Sequence, residues 1–338
     1  MSKEHYLPAG LGKFRNNETL KDKLCSDCNS QIGRETEEQF LRAGPISLFR
    51  QICGIVNRDG KLPPSPFYRG AGGAPPIYSI GRLPNHDYDI LWEVDWGSQN
   101  VYPLRQIIFN HPIIGYKAVP ILERMMQKQV TFHEYLHKEG LDQATPVNVF
   151  ASEDEMPVLE KLVRSIGHTW DPKWKKINHS EGEKVEITTT VQVTTAYFRA
   201  IAKIVFHYAL YVFPDLTGHE REFEGVKNFI FNGSDLRDVD NFVVEQRNQF
   251  VANFKNMRPT QWSHFLAVER SYHGLIGFAQ FFAGPNCLPF PYKVLLGRSP
   301  DRVRIQPEQK CHQFVIDEPE GEVVDMEDLN YVSPVFFN

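Results

Sequence analysis

Apolar positions recur at helical spacing in several stretches of the chain. Phe40, Leu41, Leu48, Phe49, Ile52 and Ile55 predict a helix over about 30–55. Gly44-Pro45 must bend or split it, because proline lacks the amide that a helix interior uses. Residues 153–166 predict a second helix, with carboxylates in the first turn that suit the positive end of its dipole. Residues 197–212 are the most hydrophobic helical stretch and are predicted to lie at the centre of a core. Helices are also predicted over 119–128 and 221–231. Strands are predicted over 77–80, 88–94 and the Val/Ile/Thr-rich 185–195, and 265–296 reads as strands separated by Gly and Pro turns. Helices and strands mix along the chain, so the expected class is α+β.

One stretch interrupts these patterns. Residues 57–76 hold Pro63, Pro64, Pro66, Pro75 and Pro76 together with Gly60, Gly70, Gly72 and Gly73, which predicts a linker or a long ordered loop. The expected organisation is therefore an N-terminal module over 1–56, the linker over 57–76, and a larger α+β domain over 77–338.

Composition narrows the classes. At 338 residues, core size is not limiting. The nearest approach to a membrane span, 200–213, is short of the ~20 residues needed and carries Lys203 and His207. The start, Met-Ser-Lys-Glu-His, lacks the apolar core of a signal peptide. Five cysteines are too few for a disulfide scaffold and suit a reducing compartment, so a cytoplasmic chain without a membrane partner is expected. A net charge of −5 argues against indiscriminate coating of nucleic acid and leaves room for a local site. Residues 313–338 contain no Lys or Arg and seven acidic residues, which predicts a solvated, partly mobile terminus.

The densest pattern of chemistry-bearing residues lies near the N-terminus. It reads Glu4-His5-x-x-Pro8, then Gly10-Leu11-Gly12, then Cys25-Ser26-Asp27-Cys28-Asn29, with Gly33 closing the run. In this order the chain resembles the HNH endonuclease family, in the branch where the last histidine is replaced by asparagine. The likeness extends to Glu37, Glu38, Gln39, Phe40 and Leu41 and to Phe67-Tyr68-Arg69-Gly70. The chemistry has its own logic: phosphodiester hydrolysis needs an activated water and a cation at the scissile phosphate, and a neutral imidazole is a competent base near pH 7.

The resemblance implies a ββα-metal (HNH-like) module that hydrolyses DNA. In it His5 is the general base, and Glu4 and Asn29 are ligands of a divalent cation such as Mg²⁺. The middle position of the family motif has two claimants, Asp22 by its spacing from Cys25 and Asn17 second. Cys25 and Cys28 are implied to be half of a structural Zn²⁺ site whose other half is a Cys-x-x-Cys before the Glu-His strand. Only three residues precede Glu4, and Cys53, Cys287 and Cys311 are isolated, so either the missing pair lies upstream of Met1 or the zinc is lost. Residues 1–45 balance seven basic against seven acidic residues, so DNA affinity would rest on Lys13, Arg15 and Arg34, with Lys21 and Lys23, sharing one face.

Two other functions compete with the nuclease. The first is a binding module of the same descent that has lost catalysis and recognises nucleic acid or protein. The second is a zinc protease: His133-Glu134-Tyr135-Leu136-His137 matches His-Glu-x-x-His, whose two imidazoles share a helix face. Against it, Gln143 stands where a third histidine belongs, and Phe132 and Leu136 suit the inward face of an amphipathic surface helix. Trp170, Lys173, Trp174, Lys175 and Lys176 mix stacking and basic side chains but read first as a solvated loop. Cys311-His312 is a lone pair without spaced partners.

Overall fold

The computed structural model describes residues 4–20, 23–57, 59–63, 77–82, 87–95, 100–121, 131–169, 186–245, 261–271, 274–284, 291–298, 308–317 and 320–325. Helix and strand each make up 35% of it, so the class is mixed α+β, as expected. Asp22, the 64–76 part of the linker, 122–128, the Trp170–Lys176 group and 326–338 lie outside the described residues.

The chain begins with strand β1 (Glu4–His5), which pairs antiparallel with β2 (Thr19–Leu20). Helix α1 (Ser26–Ile32) follows and runs into a π-helical turn, Gly33–Glu37, and then α2 (Glu38–Arg42). The expected break falls at Gly44, whose φ of 74° ends the run before α3 (Pro45–Ile52). The helical run thus starts four residues earlier than periodicity predicts, because Cys25 accepts the Cys28 amide and caps it.

Next come β3 (Tyr78–Arg82), β4 (Asp89–Asp95), β5 (Asn100–Pro103), β6 (Gln106–His111) and β7 (Gly115–Pro120). Then follow α4 (Phe132–Lys138), β8 (Thr145–Phe150), α5 (Met156–Ser165) and β9 (Ile187–Thr190). These elements form one compact unit spanning Pro76–Val191, with sheets ordered β5-β4-β3-β9 and β7-β6-β8. Strand β6 serves both of its cores by alternation. Ile107 and Phe109 join Phe132, Leu136, Leu159 and Val163 from the helices, while Ile108 joins Ile90, Trp92 and Phe150. The helix expected over 119–128 is corrected at its start: Val119 and Pro120 close β7, where Val119 pairs with Ile107.

The chain then enters α6 (Thr195–Val212), α7 (Glu224–Asn232), α8 (Leu236–Phe242) and β10 (Val243–Glu245). Strands β11 (Ser263–Ser271), β12 (Gly274–Ala283), β13 (Tyr292–Arg298), β14 (Glu308–Val315) and β15 (Glu322–Asp325) complete an antiparallel sheet ordered β10-β13-β12-β11-β14-β15. Helix α6 lies against this sheet at close range. A Cβ on Gly277 would stand 2.0 Å from Val205 Cγ1, so glycine permits the approach. The acidic terminus is in part structured: Phe314 pairs with Val323, and Asp325 pairs with His312, which also hydrogen-bonds the buried Tyr208 hydroxyl.

The expected division into 1–56 and 77–338 is redrawn. Met1–Pro66 and Gln192–Asn338 belong to one compact unit. The reason is a shared core: Tyr6, Leu7, Leu11, Phe14, Leu20, Ile32 and Phe40 pack with Ile201, Val205, Tyr208, Leu266, Phe281 and Phe314. Among the described residues, no helix is long and apolar enough to cross a membrane.

A buried histidine stitches the N-terminal segment to the sheet. His264 Nδ1 accepts from the Phe282 amide at 3.1 Å, so Nε2 carries the proton and donates to the Leu11 carbonyl at 2.9 Å. Burial pushes this imidazole down to about 4. The unfolded chain therefore binds a proton that the folded chain refuses, and stability falls as pH drops from about 6.5 to 4, by up to roughly 3 kcal/mol. Urea unfolding from pH 7 to pH 4 should show this loss, and a His264→Gln variant, less stable at pH 7, should show a pH slope shallower by up to one proton.

Candidate functional site

Alternation along the first strand sorts its side chains. Tyr6 turns inward, where its ring stacks on Tyr211 of α6 at 4.3 Å, and Glu4, two residues away, is partly buried on the same side. His5 between them is exposed. The returning loop passes Asn16 in a left-handed conformation, φ 65°, and brings Asn17 back to the strand. The Asn17 carbonyl lies 2.7 Å from His5 Nδ1, and its side-chain amide donates to the Leu7 carbonyl at 3.0 Å. A carbonyl oxygen only accepts, so His5 carries its proton on Nδ1 and its lone pair on Nε2.

Gly12, with φ 140°, lets the loop before this turn close: a Cβ there would strike the Phe14 ring at 2.8 Å. Gly12 of the motif thus serves the hairpin, whereas a Cβ on Gly10 would stand 2.6 Å from Leu41 Cδ1 of α2.

Asn29, in the first turn of α1, lies against the strand. Its Nδ2 donates to Glu4 Oε2 at 2.8 Å. The structure therefore brings together Glu4 and Asn29, and separately His5 and Asn17, along one short hairpin. Of the two claimants to the middle position of the motif, Asn17 contacts His5 through its carbonyl, and Asp22 lies outside the described residues.

Two further charged groups stand at the site. Lys203 of α6 is 2% exposed at its side chain, donates to Glu37 Oε1 at 2.5 Å, and stands 3.6 Å from Glu4 Oε1. Glu37 comes from the π-helical turn, a local widening of the helix that recurs at functional sites. One helical turn earlier on α6, Arg199 pairs with Glu35 of the same turn at 3.1 Å. The motif did not mark Lys203. Its signal was a lysine inside a largely apolar helix.

Cys25 and Cys28 sit at the N-terminus of α1, bordering a cavity of about 190 Å³ that Asn29, His207, Phe206 and Phe231 also line. His207 is buried, and desolvation with Lys203 one turn away holds it well below the usual histidine range. Among the described residues, no three His, Cys, Asp or Glu side chains are gathered closely enough to hold a metal ion. Glu4 with Asn29 is a different donor set, one carboxylate and one amide. Asn29 meets Glu4 through its Nδ2 and Lys203 faces the other Glu4 oxygen, so Asn29 Oδ1 is the amide atom that a small hard cation, which keeps water or phosphate in its remaining positions, would use.

Of the basic residues expected to meet DNA, Lys13, Arg15 and Arg34 are exposed but differently engaged, Lys23 is half-buried, and Lys21 lies outside the described residues. Arg15 faces Glu320 at 3.7 Å, Arg34 Nε donates to the Ser30 carbonyl of its own helix, and Lys13 is exposed beside Phe14. Lys23 is drawn to the end of α6, where it donates to the Leu210 and Leu216 carbonyls at 2.7 and 2.8 Å.

The His-Glu-x-x-His segment forms α4, with Phe132 and Leu136 buried as expected. Its Glu134 accepts from the Thr131 amide, and Thr131 accepts from Glu134 in return, a capping box. His137 Nδ1 is bound to Asp142 at 2.8 Å. The carboxylate that a protease would turn toward water here closes the helix N-terminus.

No protein-family model, curated protein or solved structure matches the chain.

The N-cap position gives Cys25 a distinct reactivity. Its sulfur faces the Cys28 and Asp27 amides, which favour the thiolate and lower its pKa, whereas the thiol of Cys28 is raised by its hydrogen bond with Cys25. Limiting iodoacetamide near neutral pH should alkylate Cys25 before Cys28 or Cys53, as read by peptide mass spectrometry.

Proposed function

We propose that the N-terminal hairpin and helix form an HNH-like ββα-metal site that hydrolyses phosphodiester bonds of DNA. The observation that carries this reading is the His5–Asn17 contact. It leaves Nε2 of an exposed imidazole as a base, one residue along the strand from the Glu4–Asn29 pair.

His5 Nε2 takes the proton of the attacking water, and the water oxygen bonds to phosphorus as the bond to the leaving sugar oxygen breaks. Asn17 holds the ring in the tautomer this needs, and its side-chain bond to Leu7 keeps the turn in place. Glu4 and Asn29 would hold a divalent cation, which when bound supplies positive charge to the phosphate and the departing oxygen. Lys13, Arg15 and Arg34 are the side chains proposed to meet the DNA backbone, at modest affinity given the balanced charge of this segment. A structural Zn²⁺ on Cys25 and Cys28 would need two further ligands.

With Mg²⁺ or Mn²⁺ present, His5→Ala should lower the rate of plasmid nicking by about 10²–10⁴-fold, the range for loss of a general base. A His5→Ala protein that cuts as fast as the parent overturns the assigned base. A parent chain that shifts DNA in a gel but cuts none with either metal replaces the enzyme with the binding module.

A further inference from the structure

The cation-binding pair of the proposed site does not stand alone. Glu4 Oε2 is held by Asn29, and its other oxygen faces the Lys203 ammonium at 3.6 Å. That ammonium is drawn more closely to Glu37, at 2.5 Å. Two carboxylates and one ammonium thus share a mostly buried place, with side-chain exposures of 24%, 18% and 2% for Glu4, Glu37 and Lys203. Fixed charges so placed act on each other far more strongly than in water.

We propose that Lys203 and Glu37 are positioning residues for Glu4, a charge clamp that sets how strongly this carboxylate binds a divalent cation. This rests on the metal reading of Glu4 and Asn29 and adds to it. Lys203 orients the Glu4 carboxylate through one oxygen and opposes a second positive charge near it. Glu37, the nearer partner of the ammonium at 2.5 Å against 3.6 Å, offsets its charge and so weakens its hold on Glu4. Helix α6, which carries Lys203 far beyond the motif in sequence, becomes part of the site.

The clamp predicts opposite signs for its two halves. Glu37→Gln releases the ammonium onto Glu4 and should weaken Mn²⁺ binding about tenfold, the scale seen when groups behind a metal ligand are changed. Lys203→Met removes the opposing charge and should tighten Mn²⁺ binding by about the same factor. The double variant, with a neutral pair of similar size, should return to the parent affinity or above it. Glu37→Asp, which keeps the charge, should stay nearer the parent than Glu37→Gln.

Free Mn²⁺ measured by electron paramagnetic resonance during titration of the full chain reads each affinity, with circular dichroism verifying the fold. If Lys203→Met alone fails to fold, Glu37→Gln and the double variant carry the comparison. Equal affinity in parent, Glu37→Gln and double variant overturns the clamp, as does a double variant no tighter than Glu37→Gln. A parent that binds no Mn²⁺ overturns the metal reading and the clamp with it. Mn²⁺ binding that Glu4→Gln abolishes but the Lys203 and Glu37 variants leave unchanged overturns the clamp alone.

Discussion

The buried ammonium of Lys203 constrains everything around it. A charge at 2% exposure must be paired, because an unpaired ion in the interior costs several kcal/mol. Its helix offers no partner: the four positions before and after it on α6 carry apolar or basic side chains. Both carboxylates come from the N-terminal segment, Glu4 from the first strand and Glu37 from the π-helical turn. Arg199 repeats the arrangement one turn earlier with Glu35. Pairs of this kind add little net stability, since their desolvation offsets their attraction. What such pairs favour is register: in the observed docking of the segment on α6 its acids meet both cations. Aromatic packing of Tyr6 on Tyr211 and of Phe40 on Tyr197 then supplies the apolar energy at that register.

The same docking shapes the chemistry at the hairpin. Because Tyr6 is committed inward, strand alternation commits His5 outward and Glu4 toward the helix. Two short strands would be marginal by themselves, and the hairpin is held by its buried Leu7, Leu11 and Phe14 and by the His264 bond to the Leu11 carbonyl. The rigid parts of the site are therefore borrowed from the sheet and from α6. The imidazole of His5 is left facing solvent.

How much of this was legible in the sequence follows from the range of each signal. Helices α3, α5 and α6 announced themselves by periodicity, and β11 to β13 by continuous apolar runs between turns. Strands β5 to β8 did not, because Asn100–Pro103 and Thr145–Phe150 are short and mix proline and polar residues, and their burial depends on partners distant in sequence. The proline- and glycine-rich stretch marked a real change of unit near Pro66, yet composition is silent on which later segment an earlier one packs against. Hence the N-terminal segment read as free-standing. In the site, Glu4, His5 and Asn29 were visible as a spaced motif. Spacing from Cys25 favours Asp22 over Asn17, and the Asn17 contact with His5 is made by the backbone, which residue identity does not encode. Lys203 had been noticed only as a charge that disqualifies a membrane span; the cost of burying it was the unread clue.

The three short motifs of this chain separate on one criterion: what the polar side chain at each helix start is already bonded to. Glu134 sits at the third residue of its helix and exchanges hydrogen bonds with Thr131, so the helix itself explains the glutamate. Cys25 accepts the Cys28 amide, so its place at the cap also has a local explanation, and its reactivity follows from the cap. Asn29 differs. Its amide reaches across to a carboxylate on another element, and that carboxylate faces a lysine from a third. No helix-end requirement accounts for that convergence. A polar network drawn from three distant segments is costly to assemble, and this makes the Glu4–Asn29–Lys203–Glu37 group, rather than either histidine or cysteine motif taken alone, the place where function is best sought.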